Sequence, residues 1–158
     1  MNKRVLAAVA TAGLGIGAAV AIATPAGATT PTCRSSQLQP HYDGQDGAAG
    51  TLGDMWHFTN VGSTCQTIGF VGALNFAADG RPLPTTVHWL GTKTTIVLAH
   101  GQKASWVFYY QNPGITGCTP EAATRMIVTP PNNTYPVLAS RGVRSCHGIF
   151  NATPLRFG

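Results

Sequence analysis

The sequence has 158 residues, of which 44% are hydrophobic and only 9% are charged, and its formal net charge is +5. This length accommodates one domain, and the low charge with 19 glycines and 11 prolines is typical of extracellular β domains rather than helical cytosolic enzymes. Among the scattered basic residues only Arg141 and Arg144 lie close together, so the clustered stripe of a nucleic-acid-binding protein is absent from the sequence.

The first 28 residues have the order of parts of a secretory signal peptide. Residues 1–4 are positively charged, residues 5–24 are uncharged and rich in Ala, Val and Gly, and small residues precede a cleavage site after Ala28. A run of this length also spans a bilayer, so a retained N-terminal anchor is the alternative. We expect cleavage, secretion to the extracellular space or the cell wall, and a single domain over residues 29–158 with no further membrane span.

Four cysteines follow the predicted leader, namely Cys33, Cys65, Cys118 and Cys146. An even number in an exported chain predicts two disulfides. Of the three possible pairings we prefer Cys33–Cys65 and Cys118–Cys146, which staple the first and last parts of the domain separately. A four-cysteine zinc site is disfavoured, because no two cysteines have the C-x-x-C spacing.

Short strands are predicted along the whole mature chain, since helical periodicity is almost absent and β-branched or alternating runs are separated by turn residues. In chain order these strands are residues 34–39, 51–59, 65–76, 86–90, 94–99, 104–110, 123–129, 135–139 and 147–150, the last extending toward Leu155.

Alternation with a period of two identifies the core faces of two strands. Trp56 and Phe58 are expected on the core face of one strand, and Trp106, Phe108 and Tyr110 share a face of another. Seven to nine short strands over this length predict an all-β fold, a two-sheet antiparallel β-sandwich that is Ig-like in broad terms and carries two disulfides. A small β-barrel is the alternative.

Turn residues mark the ends and irregularities of these strands. Residues 43–47, Asp-Gly-Gln-Asp-Gly, are predicted to form a polar loop. Gly69 and Gly72 predict a bend or bulge in the strand 65–76. Asp79-Gly80 predicts a hairpin turn.

One segment carries a family resemblance. Residues 58–70 contain an Asn-x-Gly-x-x-Cys step that leads into a Cys-x-x-x-Gly-aromatic strand. With the four cysteines, Asp79-Gly80, residues 98–104 and residues 128–131, this pattern resembles the actinobacterial secreted domain of unknown function 4232 family over about residues 33–157. The chain departs from the family pattern in having Gly69-Phe70-Val71 in place of Gly-Tyr-Pro and His100-Gly101 in place of Pro-Gly. The resemblance implies export and a β-sandwich, and it implies no catalytic residues.

No catalytic, cofactor-binding or metal-binding residues are expected. The sequence has no Gly-x-Ser-x-Gly motif, and four of the five acidic residues lie in or beside glycine turns, where Asp is common for backbone reasons. No two of the five histidines have a spacing of two or four residues. In a sheet, His57 and His88 are the two that can meet across strands, although a histidine on a strand is more often simply a polar surface residue.

The leading functional hypothesis is a non-catalytic, monomeric extracellular module that binds a cell-wall polymer or an extracellular protein, or that has a structural role in the cell envelope. Recognition is expected in the loops 43–50, 79–85, 111–118 and 130–134, and a carbohydrate-stacking platform would use Trp89, Tyr109 or Tyr110. The alternatives are a secreted hydrolase or metal-dependent enzyme, and a secreted inhibitor or toxin-like effector.

Overall fold

The computed structural model describes residues 29–139 and 141–158, so the predicted signal peptide at residues 1–28 lies outside the described residues. The described chain is mostly β-strand. Its strands are β1 (Leu38–Ala48), β2 (Thr51–Asn60), β3 (Cys65–Ile68), β4 (Gly72–Phe76), β5 (Thr86–Trp89), β6 (Thr95–Leu98), β7 (Lys103–Gln111), β8 (Arg125–Thr129), β9 (Val137–Ala139), β10 (Ile149–Ala152) and β11 (Arg156–Phe157). A one-turn helix, α1 (Pro113–Thr116), and two 3-10 turns (Ser35–Gln37 and Cys146–Gly148) complete the elements. None of these described helices has the length and apolar character needed to cross a membrane.

The strands form one large sheet and two small ones. The large sheet has the order β1-β2-β7-β10-β5, and β11 also pairs with β7. The small sheets are β3-β6 and β4-β8-β9. The predicted all-β class is therefore confirmed, and the described strands do not close into a barrel. The large sheet differs from the predicted antiparallel arrangement in one pair, because β5 and β10 are parallel, which is possible since a long connection rather than a hairpin joins them.

Aromatic side chains from the large sheet fill the core. Trp56 and Phe58 on β2 and Trp106 and Phe108 on β7 are buried, which confirms the predicted core faces. The ring of Trp106 lies with its centroid 4.5 Å from that of Phe58 and 6.0 Å from that of Phe108. Burying each such side chain stabilises the fold by about 1.5–3 kcal/mol. The same core cluster includes buried residues of both small sheets, so one apolar core connects all three.

The long hairpin of β1 and β2 corrects the prediction of a loop at residues 43–47. These residues continue β1 and pair with β2 almost to the tip, and the chain reverses only at Ala49 and Gly50, which both have positive φ. A β-bulge at Asp43 shifts the register between Tyr42 and Gly44. The bulge and the φ of +141° at Gly44 explain the mistake, since residues that favour turns also suit a bulge within a strand.

The predicted strand 65–76 is two strands in different sheets. The chain leaves β3 at Gly69, whose φ is +128°, and Phe70 forms a bridge with Pro154 before β4 begins. The predicted strand 34–39 begins instead as a 3-10 turn, in which the N–H of Gln37 donates to the carbonyl of Arg34 and the N–H of Arg34 donates to the side-chain Oε1 of Gln37, both at 2.9 Å. The bend predicted near Gly69 thus has a larger effect than expected, since it moves the chain from one sheet to another.

Two disulfides join Cys33 to Cys65 and Cys118 to Cys146, which are the pairs preferred from the sequence. They enclose sequence separations of 32 and 28 residues. Restricting the unfolded chain over loops of this size contributes about 3–4 kcal/mol of stability per bridge. The first bridge is buried in the core, with Cys33 and Cys65 only 1% and 0% exposed, whereas Cys118 in the second bridge is partly exposed.

This difference in burial predicts an order of reduction. When the folded protein is treated with a small thiol and then alkylated, Cys118 and Cys146 are expected to be labelled before Cys33 and Cys65, because a thiolate must reach a sulfur atom to exchange. Peptide mass spectrometry of a time course measures the order. Simultaneous labelling of all four cysteines would show that reduction requires global unfolding and would contradict the prediction.

Candidate functional site

An exposed aromatic pair lies at the edge of the large sheet. Trp89 ends β5, and its side chain is 64% exposed. Its ring stacks on that of Phe70, with 5.5 Å between centroids and an interplanar angle of 12°. Because most of Trp89 is exposed, the core does not hold its ring, and the contact described for it is the stacking on Phe70.

The position of Phe70 is set by the backbone around it. Phe70 is bridged to Pro154, and the N–H of Leu155 donates to the carbonyl of Gly69 at 3.1 Å. Leu155 is fully buried, so the segment that carries Phe70 is tied to the core. The Phe70–Trp89 pair is therefore held in place by the backbone that carries Phe70.

The Phe70–Trp89 pair forms one side of a groove of ≈ 340 Å³. The other side is the segment 130–133, Pro-Pro-Asn-Asn, and Lys93 and Thr129 also line the groove. We call this feature the Trp89 groove; its lining residues are Ile68, Gly69, Phe70, Gly72, Trp89, Lys93, Thr129, Pro130, Pro131, Asn132 and Asn133. Of the four loops predicted to carry recognition, the loop 130–134 is the one that contributes to it.

Hydrogen bonds of Asn133 hold the second wall of the groove in place. Its side-chain amide donates to the carbonyls of Cys33 and Pro131, both at 2.9 Å, and its oxygen accepts from the N–H of Ser35 at 2.9 Å. Because Cys33 is itself bonded to Cys65, this wall is braced by a disulfide. Both sides of the Trp89 groove are thus preformed, as is usual for ligand sites.

The three aromatic residues proposed for carbohydrate stacking have different positions. Trp89 is exposed in the groove, Tyr109 is 38% exposed, and Tyr110 is buried at 4% exposure. The ring of Tyr109 lies against Gly53, where an added Cβ would approach its Cε1 to 2.9 Å. Phe70 was not among the aromatic residues predicted to form the platform, although the Gly-aromatic step after Cys65 distinguishes it in the sequence.

The other predicted recognition loops lie elsewhere. The loop 43–50 is reduced to the turn at Ala49 and Gly50, because the preceding residues belong to β1. The loop 79–85 contains the predicted turn, in which the N–H of Gly80 donates to the carbonyl of Ala77. The loop 111–118 contains α1, whose first turn is capped by the Asn112 side chain accepting from the N–H of Gly114 at 3.0 Å.

His57 and His88 are kept apart by the topology of the sheet. His57 lies on β2 and His88 on β5, and both β7 and β10 lie between those strands. The neighbour of His57 is His41 on β1, and the centroids of the two stacked rings are 5.0 Å apart. The Nδ1 atom of His57 lies 2.7 Å from the Asp43 carboxylate. The described residues contain no group of three or more His, Cys, Asp or Glu that could hold a metal ion.

A buried carboxylate, that of Asp54, lies near the N-terminal end of β2. Asp54 points into the same side of the sheet as Trp56, and its Oδ1 accepts from Gln45 Nε2 at 2.9 Å and from the Tyr110 hydroxyl at 3.1 Å. Its Oδ2 has no hydrogen-bond partner. Loss of hydration raises the pKa of the Asp54 carboxyl, although Gln45, Arg141 and Tyr110 oppose the shift. The pKa of the Tyr110 hydroxyl is also raised, by burial first and then by the charge of Asp54.

Comparison with known proteins gives one match. A family model described as "Domain of unknown function (DUF4232)" matches residues 33–156. No match was found among curated proteins, and none among solved structures.

The raised pKa of Asp54 predicts a pH-dependent stabilisation by Asp54→Asn. A carboxyl that binds its proton more readily in the folded chain destabilises the fold when it ionises, so this cost is absent below the ordinary Asp pKa and develops as the pH rises through the folded-state pKa. The variant is therefore expected to have a higher Tm than the wild type at pH 7, with the gain disappearing near pH 3. Thermal unfolding across this range measures it.

Asp79→Asn is the matched control, because it removes the same charge from an exposed turn. It is expected to change the Tm little at pH 7. A lower Tm for Asp54→Asn than for the wild type at pH 7 would mean that the ionised carboxylate stabilises the cluster, and would contradict the prediction.

Proposed function

Since the chain belongs to the DUF4232 family, whose description assigns no activity, we propose that it is a secreted, non-catalytic module that binds a glycan of the cell envelope in the Trp89 groove. The observation that carries the proposal is the exposed and fixed ring of Trp89. What distinguishes Trp89 from the other exposed apolar residues of the chain is that its ring stacks on Phe70 and lines a groove with polar residues at its rim, and an apolar surface rimmed by polar groups marks an interaction site.

The composition of the Trp89 groove fits a sugar ring. A pyranose has an apolar face of C–H groups, which packs flat against an aromatic ring, and a rim of hydroxyls, which need hydrogen-bond partners. The groove offers the Trp89 ring for the face, and the side chains of Lys93, Thr129 and Asn132 stand on its lining for the rim. Pro130 and Pro131 also line the groove but are themselves buried, so they form its wall and offer little free surface to a ligand.

The size of the groove favours a glycan over a protein partner. A stable protein interface uses about 20–30 residues on each side, whereas this groove is lined by eleven residues, of which Trp89 presents the most exposed ring. Lys93 is the one ionisable residue on its lining, so the groove has no acid–base pair for hydrolysis. This supports binding rather than turnover of the glycan.

Secretion is supported by the disulfides. Two bridges in a chain of this size are typical of an oxidising, extracellular compartment, and the predicted leader at residues 1–28 supports the same localisation. We also propose that the architecture is a β-sandwich, because the apolar face of the large sheet shares one core with both small sheets. An enzyme, an inhibitor and a toxin-like effector have no comparable observation in their favour.

Tryptophan fluorescence provides a direct test. The chain has three tryptophans, and Trp56 and Trp106 are buried while Trp89 is exposed, so acrylamide quenching reports mainly on Trp89. Glycan fragments released from the cell walls of the producing organism are expected to protect Trp89 from quenching in a saturable way. The same fragments are expected to bind Trp89→Ala about tenfold more weakly or worse, as for an aromatic anchor, in calorimetric titration.

Ile115→Ala is the matched control, since Ile115 is 66% exposed but packs near Gly50, away from the Trp89 groove. It is expected to bind the fragments like the wild type. Co-sedimentation with intact cell walls at low and high salt separates specific binding from attraction by net positive charge. Wild-type affinity in Trp89→Ala, or pelleting that high salt abolishes, would refute the glycan proposal.

A further inference from the structure

A second concave site lies beside the buried carboxylate. It is a cleft of ≈ 350 Å³, whose polar lining is Gln45, Tyr110, Arg141 and Arg144. Leu52 and Pro113 supply apolar surface. We call it the arginine cleft. It shares no lining residue with the Trp89 groove.

Arg141 is held in position by an aromatic ring. Its guanidinium carbon lies 4.3 Å from the centroid of the Tyr42 ring, and Tyr42 packs edge-on against Trp56 at 5.2 Å. A cation over an aromatic face is stabilised by about 0.5–1 kcal/mol or more. A guanidinium has five N–H donors, so donors remain for an anion beside the contact with Tyr42.

Neither arginine of the cleft has a carboxylate partner within the described chain. The salt bridges of the described residues join His57 to Asp43 and Arg81 to Asp79. Arg141 and Arg144, three residues apart, thus bring two positive charges to one cleft without a salt bridge, and in the described part of the chain only Arg141 lies near enough to a carboxylate, that of Asp54, to influence the pKa of that carboxyl. Two like charges on a concave surface are unfavourable unless an anion offsets them.

Among the residues that the structure describes, the acidic side chains nearest to the cleft do not form salt bridges with its arginines. Asp54 lies beneath Gln45 and Tyr110, takes a hydrogen bond from each, and does not line the cleft. Glu121 follows Pro120 at the margin of the cleft, and it forms no salt bridge with either arginine within the described residues. Because Gln45 Nε2 and the Tyr110 hydroxyl both donate to Asp54, the donors that remain for a ligand are those of the arginines.

We propose that the arginine cleft binds an anionic oxygen group, a carboxylate or a phosphate, between Arg141 and Arg144. The planar fork of guanidinium donors matches both groups and binds them more strongly than neutral donors do. The site is independent of the Trp89 groove. It gives the chain a second point of recognition with a different chemistry.

Titration of the ¹⁵N-labelled protein with sodium phosphate, and separately with sodium succinate, tests the proposal against sodium chloride of equal ionic strength. Saturable shifts of the backbone amides of Gln45 and Gly114 are expected. Arg141→Gln and Arg144→Gln are each expected to weaken binding about tenfold or more, the loss of a charge-assisted contact. Arg141→Lys keeps the charge but loses the fork, and is expected to bind with intermediate affinity.

Arg156→Gln is the control for net charge, because Arg156 is exposed on β11 and lies outside the cleft. It is expected to bind like the wild type, as is Trp89→Ala, so the two proposals fail separately. Saturation by phosphate alone or by succinate alone assigns the group, and saturation by both assigns the shared oxygen chemistry. Absence of saturation, or equal weakening in Arg156→Gln and Arg144→Gln, would overturn the proposal.

Discussion

The pairing of β2 with β7 is the constraint on which the rest of the structure depends. Nine residue pairs, from Thr51↔Gln111 to Thr59↔Lys103, align the two strands so that Trp56 and Phe58 share one side of the sheet with the buried aromatic residues of β7. Because side chains alternate along a strand, a shift of one residue would expose the whole set. The remaining elements either extend this pair sideways, as β1, β10 and β11 do, or cover its apolar face.

The same alternation explains why the molecule buries a carboxylate. Position 54 has the parity of Trp56 and Phe58, so any side chain there faces the interior. The surroundings offset part of the cost of burying Asp54, since Gln45 from β1 and Tyr110 from β7 donate to it and Arg141 lies nearby. Asp54 and its two donors thus form a polar end of the core, and Gln45 and Tyr110 also line the neighbouring arginine cleft.

How much could be read from the sequence depended on the range of the interactions. The core faces, the turn at Asp79-Gly80 and the preferred cysteine pairs follow from local pattern and spacing, and the structure has them. The bulge at Asp43 was mistaken for a loop, because Asp and Gly suit both and the choice depends on pairing with β2. The Trp89 groove needs Phe70 and the segment 130–133 to meet Trp89, and no local signal encodes contacts over such separations. His41, the neighbour of His57, was missed because the first strand was predicted to end at residue 39, so His41 was not expected to pair with a residue of β2.

The placement of the two disulfides has a consequence for the covalent connectivity of the chain. One loop closes before residue 66 and the other opens after residue 117, so the loops neither overlap nor nest. A single peptide-bond cleavage at the exposed Asp79-Gly80 turn would leave two pieces, each with its own internal staple and no covalent link between them. The first piece would contain β2 and the second β7, so the two would associate through their longest shared ladder. The chain is thus divided in the manner required of a split protein, whose two fragments recover the fold only when they associate.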